Sequence, residues 1–217
     1  PAQAHLYKKA DILINLGAIN YRFNNLKNRI EKFSEIACRL GSVLLHVNQV
    51  GGNDELVFDG SSIVMDKQGN LLCLGKCFDE DLIIFDTEAA CKPIPTPVED
   101  ISWVYRALVL GFKDYFHKTG FTKTLLGLSG GIDSALVACI AVDALGRENV
   151  LGVSMPSRYS SDHSRDDARQ LAENLGIEYR VLPIEDMFSA YINLLNGSNE
   201  AVGDLAEENI QARIRGN

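Results

Sequence analysis

Six consecutive residues, Ser129-Gly130-Gly131-Ile132-Asp133-Ser134, bring together groups that suit a phosphate ligand. Adjacent glycines let a backbone turn tightly and aim successive N–H groups into one concavity. The apolar run before them, over 123–128, reads as a strand, and 132–145 reads as a helix. The unpaired N–H groups and positive dipole end of that helix then face the same hollow. Ser129 and Ser134 add a hydroxyl on each side. The result is an anion nest of pyrophosphate size. Asp133 would repel a bare anion, and it makes sense if a Mg²⁺ lies between its carboxylate and the phosphates. The loop has neither the Gly-Lys-Ser/Thr ending of a Walker loop nor GxGxxG spacing. A plain strand-to-helix turn with a serine cap is the bland alternative.

Two later stretches could complete a site. Val153-Ser154-Met155-Pro156-Ser157-Arg158-Tyr159-Ser160-Ser161 follows the next strand, where the remainder of a nucleotide would lie. Its small and polar residues suit a lid, or an ordinary surface loop. Glu207-Glu208-Asn209-Ile210-Gln211-Ala212-Arg213-Ile214-Arg215 has helical spacing. Asn209 and Arg213 share one face of it, and Gln211 and Arg215 share the adjacent one. Arginine's planar, permanently charged fork matches phosphate. A solvated helix end, acidic early and basic late, would show the same pattern.

The elements that must position these groups fall on two sides of Cys91-Lys92-Pro93-Ile94-Pro95-Thr96-Pro97. Alternate prolines stop helix and central strand alike, which marks residues 91–97 as a linker. Before it, 11–16 reads as a buried strand and 24–40 as a helix. Leu26, Ile30, Phe33, Ala37 and Leu40 form that helix's apolar stripe, and Gly41 is its stop. Strands follow over 42–47, 61–65, 71–74 and 82–85, with a hairpin turn at Gly69-Asn70. The run from Asn48 to Gly60 reads as a Gly-rich turn without chemistry. After the linker, strands over 123–128, 150–155 and 179–182 alternate with helices over 98–118, 132–145, 162–175 and beyond Glu185. The 132–145 helix is apolar nearly all round, so burial is expected. The fold class is α/β: a mixed layer over 1–90, then a doubly wound parallel sheet over 98–217, both incomplete. In such sheets ligands bind beyond the carboxyl ends of the strands, where the three motifs fall.

The 217 residues are 46% apolar and 23% charged, ordinary for a chain with a core. A net charge of −8 argues against nucleic-acid and anionic-membrane partners, which reward a basic face. No run approaches the ~18 apolar residues of a membrane span. Cys38, Cys73, Cys77, Cys91 and Cys139 have no zinc spacing, so they read as reduced, structural thiols, with Cys38 packing on its helix. A cytoplasmic setting fits them. The chain opens at Pro1 without a Met, and the expectation is that the natural N-terminus lies upstream.

Ser-Gly-Gly-x-Asp-Ser after an apolar strand resembles the signature of the ATP pyrophosphatases, which split ATP into AMP and pyrophosphate to activate an oxygen. That group includes NAD, GMP, asparagine and argininosuccinate synthetases. The order Ser-Gly-Gly-Ile-Asp-Ser, Met-Pro-Ser-Arg-Tyr-Ser-Ser, Glu-Glu-Asn-Ile-Gln-Ala-Arg-Ile-Arg is similar to the synthetase domain of NAD synthetases. The run from Asn48 to Ser62 is similar to the later part of the nitrilase-like glutaminase domain that precedes it in glutamine-dependent members. The resemblance implies ATP-dependent amidation of deamido-NAD to NAD through an adenylate, with ammonia from glutamine. ATP and Mg²⁺ would be held by Ser129, Gly130, Gly131, Asp133, Ser134 and Arg215, with Asp133 toward the metal. Asn209 and Arg213 would meet deamido-NAD, in a homo-oligomer. The glutaminase's Glu, Lys and Cys come earlier in that domain, and none is carried onto this chain. Both ends look cut, so the chain alone is expected to be inactive. Another ATP pyrophosphatase with a different acceptor, or a non-catalytic nucleotide-binding fragment, remains open at this point.

Overall fold

A computed structural model describes residues 10–89, 91–196 and 204–217; the chain's opening residues 1–9 lie outside the described residues. The chain divides into two compact units, Pro1–Thr119 and Gly120–Asn217.

In the first unit β1 (Ile12–Gly17) leads through α1 (Leu26–Leu40) to β2 (Val43–Asn48), parallel to it. β3 (Val50–Asn53) and β4 (Leu56–Asp59) form a separate antiparallel hairpin. β5 (Ile63–Met65) and β6 (Leu71–Leu74) return to the first sheet, whose order is β1-β2-β5-β6. Helix α1 forms because Leu26, Ile30, Phe33, Ala37 and Leu40 recur at helical spacing and are buried, the first four in one cluster with Leu44, Ile63, Met65 and Leu71. Gly41, with φ 63°, ends it in the left-handed cap that glycine adopts without a Cβ penalty. Its start is capped from far along the chain: Glu99 accepts hydrogen bonds from the N–H groups of Asn24 (2.9 Å) and Leu26 (2.7 Å).

The stripe also carries a charge. Arg29 is buried and donates through both terminal nitrogens to Asp59, at 3.0 and 2.7 Å. Ser61 Oγ–H donates to the same carboxylate at 2.6 Å. His46 on β2 stacks on Phe33 with centroids 4.3 Å apart, and its Nδ1 donates to Asn15 Oδ1 at 2.9 Å. Burial, then the nearby Arg29 charge, pushes the His46 imidazole down from 6.5 to about 4.

Three expectations are corrected here. β1 is an edge strand and is not buried: Ile14 and Leu16 are 64% and 78% exposed on the face opposite the α1 packing. The apolar run 82–85 forms no regular element, and Leu82 and Ile84 are exposed, because an apolar run without a partner strand has nothing to pair with. Cys38 is exposed rather than packed, and its Sγ–H donates to Gln68 O. All five cysteines are free thiols.

Helix α2 (Ile101–Thr119) follows the prolines in sequence but packs on β3 and β4 of this unit. Asp114 accepts from Gly52 N–H at 2.7 Å, and Lys118 Nζ donates to Gly52 O. A Cβ on Gly52 would sit 3.0 Å from the Gly111 Cα, so the hairpin's glycines are what let the helix approach. Trp103 and Ala107 of α2 join the unit's core.

In the second unit β7 (Thr124–Gly127), α3 (Ile132–Leu145), β8 (Val150–Ser154), α4 (Asp162–Leu175) and β9 (Glu178–Val181) alternate, and the three strands are parallel in the order β7-β8-β9. α5 (Glu185–Asn196) and α6 (Asp204–Gly216) pack on one another through Ile184, Phe188 and Ile214, joined by Met155. The bounds of α3 and α4 match the sequence reading. The burial of α3 does not. Ala138, Ile140 and Ala141 are buried, whereas Ile132 is 80% exposed and Leu136 and Val137 are also exposed. Among the described residues the helix is covered on one side, so its outer apolar residues face outward. No described helix is long and apolar enough to cross a membrane.

Candidate functional site

The Ser129–Ser134 loop lies where the sequence places it, between the carboxyl end of β7 and the start of α3. Its turn depends on Gly130, whose φ is +82° and where a Cβ would fall 2.3 Å from the backbone oxygen of Ser164. That contact seats the loop against the first turn of α4. The loop is closed by its own serines. Gly131 N–H donates to Ser129 Oγ (3.2 Å), and Ser129 N–H donates to Ser134 Oγ (3.3 Å). Ser134 Oγ–H donates to Gly131 O at 2.9 Å. Ser134's single proton is thus committed, so across the 3.1 Å between the two hydroxyls Ser129 is the donor. Asp133 is exposed in the first turn of α3 and forms no ion pair among the described residues.

From Ser129 a cleft of about 390 Å³ runs over the ends of β7 and β8. Its lining mixes apolar Leu128, Val153, Met155 and Pro156 with polar Ser161, Ser164, Arg165 and Arg215. The first turn of α4 reaches the wall through Ser164 and Arg165, whereas of the predicted loop only Ser129 lines the cleft and Gly130, Gly131, Asp133 and Ser134 do not. Ser161 caps α4, accepting from Ser164 N–H at 3.1 Å. Apolar walls beside hydroxyls, the N-terminus of α4 and two guanidinium groups can take a molecule with an apolar part and an anionic part.

The three motifs do not contribute equally. Arg215 lines the cleft, its Nε donating to Met155 O at 3.1 Å. Asn209 and Arg213 lie exposed on α6 and are not among the residues lining it. Ser164 and Arg165 on the cleft wall went unrecognised in the sequence. Ser161 three residues before Ser164, at the head of a helix, is the capping signal that could have located them. The stretch after Pro156 is no free flap, since Arg158, Tyr159 and Ser157 all hydrogen-bond to α5 or α6.

The NAD synthase family profile matches residues 104–217, more than half of the chain and all of the second unit. The chain belongs to the NAD synthase family. A glutamine-dependent NAD(+) synthetase of Synechocystis sp. is 46% identical over 214 residues, covering 95% of this chain and 38% of that protein. One from Aquifex aeolicus is 40% identical, covering 96% of this chain and 43% of its own length. The structure of the glutamine-dependent NAD+ synthetase from Acinetobacter baumannii in complex with ADP is 36% identical with a TM-score of 0.90, over 99% of this chain and 41% of that one. A glutamine-dependent NAD(+) synthetase from Cytophaga hutchinsonii has the same fold, with a TM-score of 0.83 at 20% identity over 96% of this chain and 43% of that one. The chain therefore spans about two fifths of the length of these NAD synthase relatives.

Proposed function

We propose that the protein amidates deamido-NAD to NAD at the expense of ATP, through an adenylate, with ammonia drawn from glutamine. The observation that carries this is Ser129, at the head of the 129–134 loop, lining one cleft with Arg215, in a chain of the NAD synthase family. In this reading the apolar side chains of the cleft take the adenosine part of ATP, and the serine loop and the N-terminus of α3, next to Ser129, take the β- and γ-phosphates. The serine hydroxyls, bonded to each other in the loop, exchange those bonds for phosphate oxygens. The nicotinate carboxylate attacks the α-phosphorus and the bond to pyrophosphate breaks. Fixed N–H dipoles stabilise charge growing on the leaving group without reorganising. Ammonia then displaces AMP from the carbonyl carbon.

Asp133 suits a Mg²⁺, being an exposed carboxylate beside the nest with no ion-pair partner among the described residues. Mg²⁺ commonly takes one or two carboxylates and completes its shell with phosphate oxygens and water. When bound it would supply charge neutralisation on the departing pyrophosphate. Arg215 would act on ATP, while Asn209 and Arg213 would face deamido-NAD from the other side of α6. The segment up to residue 90 is read as the later part of a nitrilase-like glutaminase domain, residues 91–97 as a linker, and 98–217 as the first part of a doubly wound synthetase domain. The whole protein is read as a cytoplasmic homo-oligomer.

ATP–pyrophosphate exchange by the whole protein, with and without deamido-NAD, tests this. Exchange that requires deamido-NAD is the expected result. Exchange indifferent to it would leave a pyrophosphate site serving another acceptor.

A further inference from the structure

Gln211 is a nearly fully buried amide on α6, close to the buried Ile214, and nothing in the proposed chemistry uses it. Its Oε1 accepts from Ser157 Oγ–H at 2.8 Å and from Arg215 Nη2 at 3.5 Å. Arg215 Nε donates in turn to Met155 O at 3.1 Å. One turn of α6 is thereby tied at two points to residues 155–157, the segment leaving β8 along the cleft. The same segment is held further out by α5. Glu185 accepts from Arg158 N–H at 3.0 Å and from Arg158 Nε at 2.7 Å, and Arg158 lies over the Phe188 ring.

From this geometry we infer that Gln211 is a positioning residue for ATP: bridging Ser157 and Arg215, it fixes the Arg215 guanidinium on the cleft. The inference rests on the proposed function and assigns that site a residue it did not include. An arginine on an exposed helix end samples many rotamers, and ordering it on binding costs affinity. Gln211 and Met155 O hold two of its three nitrogens on the protein side. The donors left over are those that can meet phosphate. The buried position of Gln211 explains why the sequence pattern alone did not show it: Gln211 and Arg215 read as neighbours on a solvated helix.

Binding of ATP and of adenosine to the whole protein is measured by calorimetry for the wild type, Gln211→Ala, Gln211→Glu, Arg215→Ala and the double variant Gln211→Ala/Arg215→Ala. Gln211→Ala is expected to weaken ATP about three- to tenfold, the 3.5 Å contact with Arg215 being long for a charge-assisted hydrogen bond, while adenosine changes less than about twofold. Gln211→Glu keeps an acceptor at that atom and is expected to retain ATP affinity. In the Arg215→Ala background, Gln211→Ala is expected to add nothing. Equal losses of ATP and adenosine, or an additive loss in the double variant, overturn the inference and leave Gln211 a packing residue. Where Gln211→Ala does not fold, an ATP affinity of Gln211→Glu as low as that of Arg215→Ala overturns it as well. Failure of the wild type to bind ATP at all sinks the proposed function itself, which distinguishes the two.

Discussion

Arginine does opposite work in the two units. Arg29, its side chain 5% exposed, faces a carboxylate that is itself 3% exposed, and both its terminal nitrogens are committed to Asp59. Arg215 is exposed, tied by one nitrogen to a backbone oxygen and loosely by another to Gln211. The first guanidinium is sealed in the core, even its unpartnered Nε, while the second is open to a ligand. The same contrast separates the serines. Ser61 is fully buried and spends its proton on Asp59, while Ser129 and Ser134 hold each other at an exposed strand end. The buried Arg29–Asp59–Ser61 group holds the fold of the first unit, whereas Ser129 and Arg215 in the second line an open cleft.

Breaking the buried pair should give the largest effect. Asp59→Ala leaves Arg29 charged and unpaired inside the core, a loss of roughly 3–5 kcal/mol. Trp103 is the chain's single tryptophan and belongs to the first unit's core, so urea unfolding followed by its fluorescence reads this unit. ATP affinity is expected to be unchanged in whatever fraction remains folded. A parallel loss of ATP affinity would mean the division of labour is false.

Next comes His46, whose neutral imidazole is buried against Phe33 and near Arg29. Its folded value of about 4 lies below the unfolded 6.5, so the unfolded chain binds the proton more readily between them. Stability is therefore full above pH 6.5 and is lost as pH falls toward 4, by about 3 kcal/mol in all. Trp103-detected unfolding at pH 7, 5.5 and 4 measures the slope. His46→Phe should flatten it, and an unaltered slope in that variant would place the titration elsewhere.

How much of this was legible from residues alone follows from the range of the forces. α3, α4 and the glycine loop between β7 and α3 were readable because apolar runs, helical spacing and glycine pairs are local signals. The β3–β4 hairpin was hidden inside a run that looked like a Gly-rich turn, since its glycines serve the close approach of α2 at Gly111. Glu99 capping α1 from more than seventy residues away leaves no trace at Asn25, where a cap would be sought. The exposure of β1 and of α3's outer face was misjudged because an apolar sequence reports what a residue prefers, not what is there to cover it. Within the site, chemistry flagged Arg215 but not Gln211, whose role depends on which face of α6 meets residues 155–157.

Gly130→Ala acts on the exchangeable side of the comparison. The positive φ alone costs about 1–2 kcal/mol for a residue with a Cβ. The added carbon also meets the Ser164 carbonyl, so the loop must leave its seat on α4. The expected outcome is a modest drop in thermal stability with ATP binding lost by a larger factor than stability alone accounts for. Calorimetry on the folded variant checks it, and intact ATP binding would show that the nest tolerates a shifted loop.

Asp133→Asn should have the smallest effect on stability and so separates fold from function most cleanly. The side chain is exposed and without an ion-pair partner among the described residues, and such surface changes usually stay within ±0.5 kcal/mol. One favourable term is lost, the attraction of a first-turn carboxylate to the α3 dipole, which is only a few tenths at an exposed site. The amide keeps the shape but not the charge that a Mg²⁺ between protein and phosphates requires. Mg²⁺-dependent ATP–pyrophosphate exchange is expected to fall at least about tenfold, with the melting temperature unmoved. Unchanged exchange at an unchanged melting temperature would remove Asp133 from the site. The nest would then bind pyrophosphate through N–H and hydroxyl groups alone, and the division between the units would rest on Arg215.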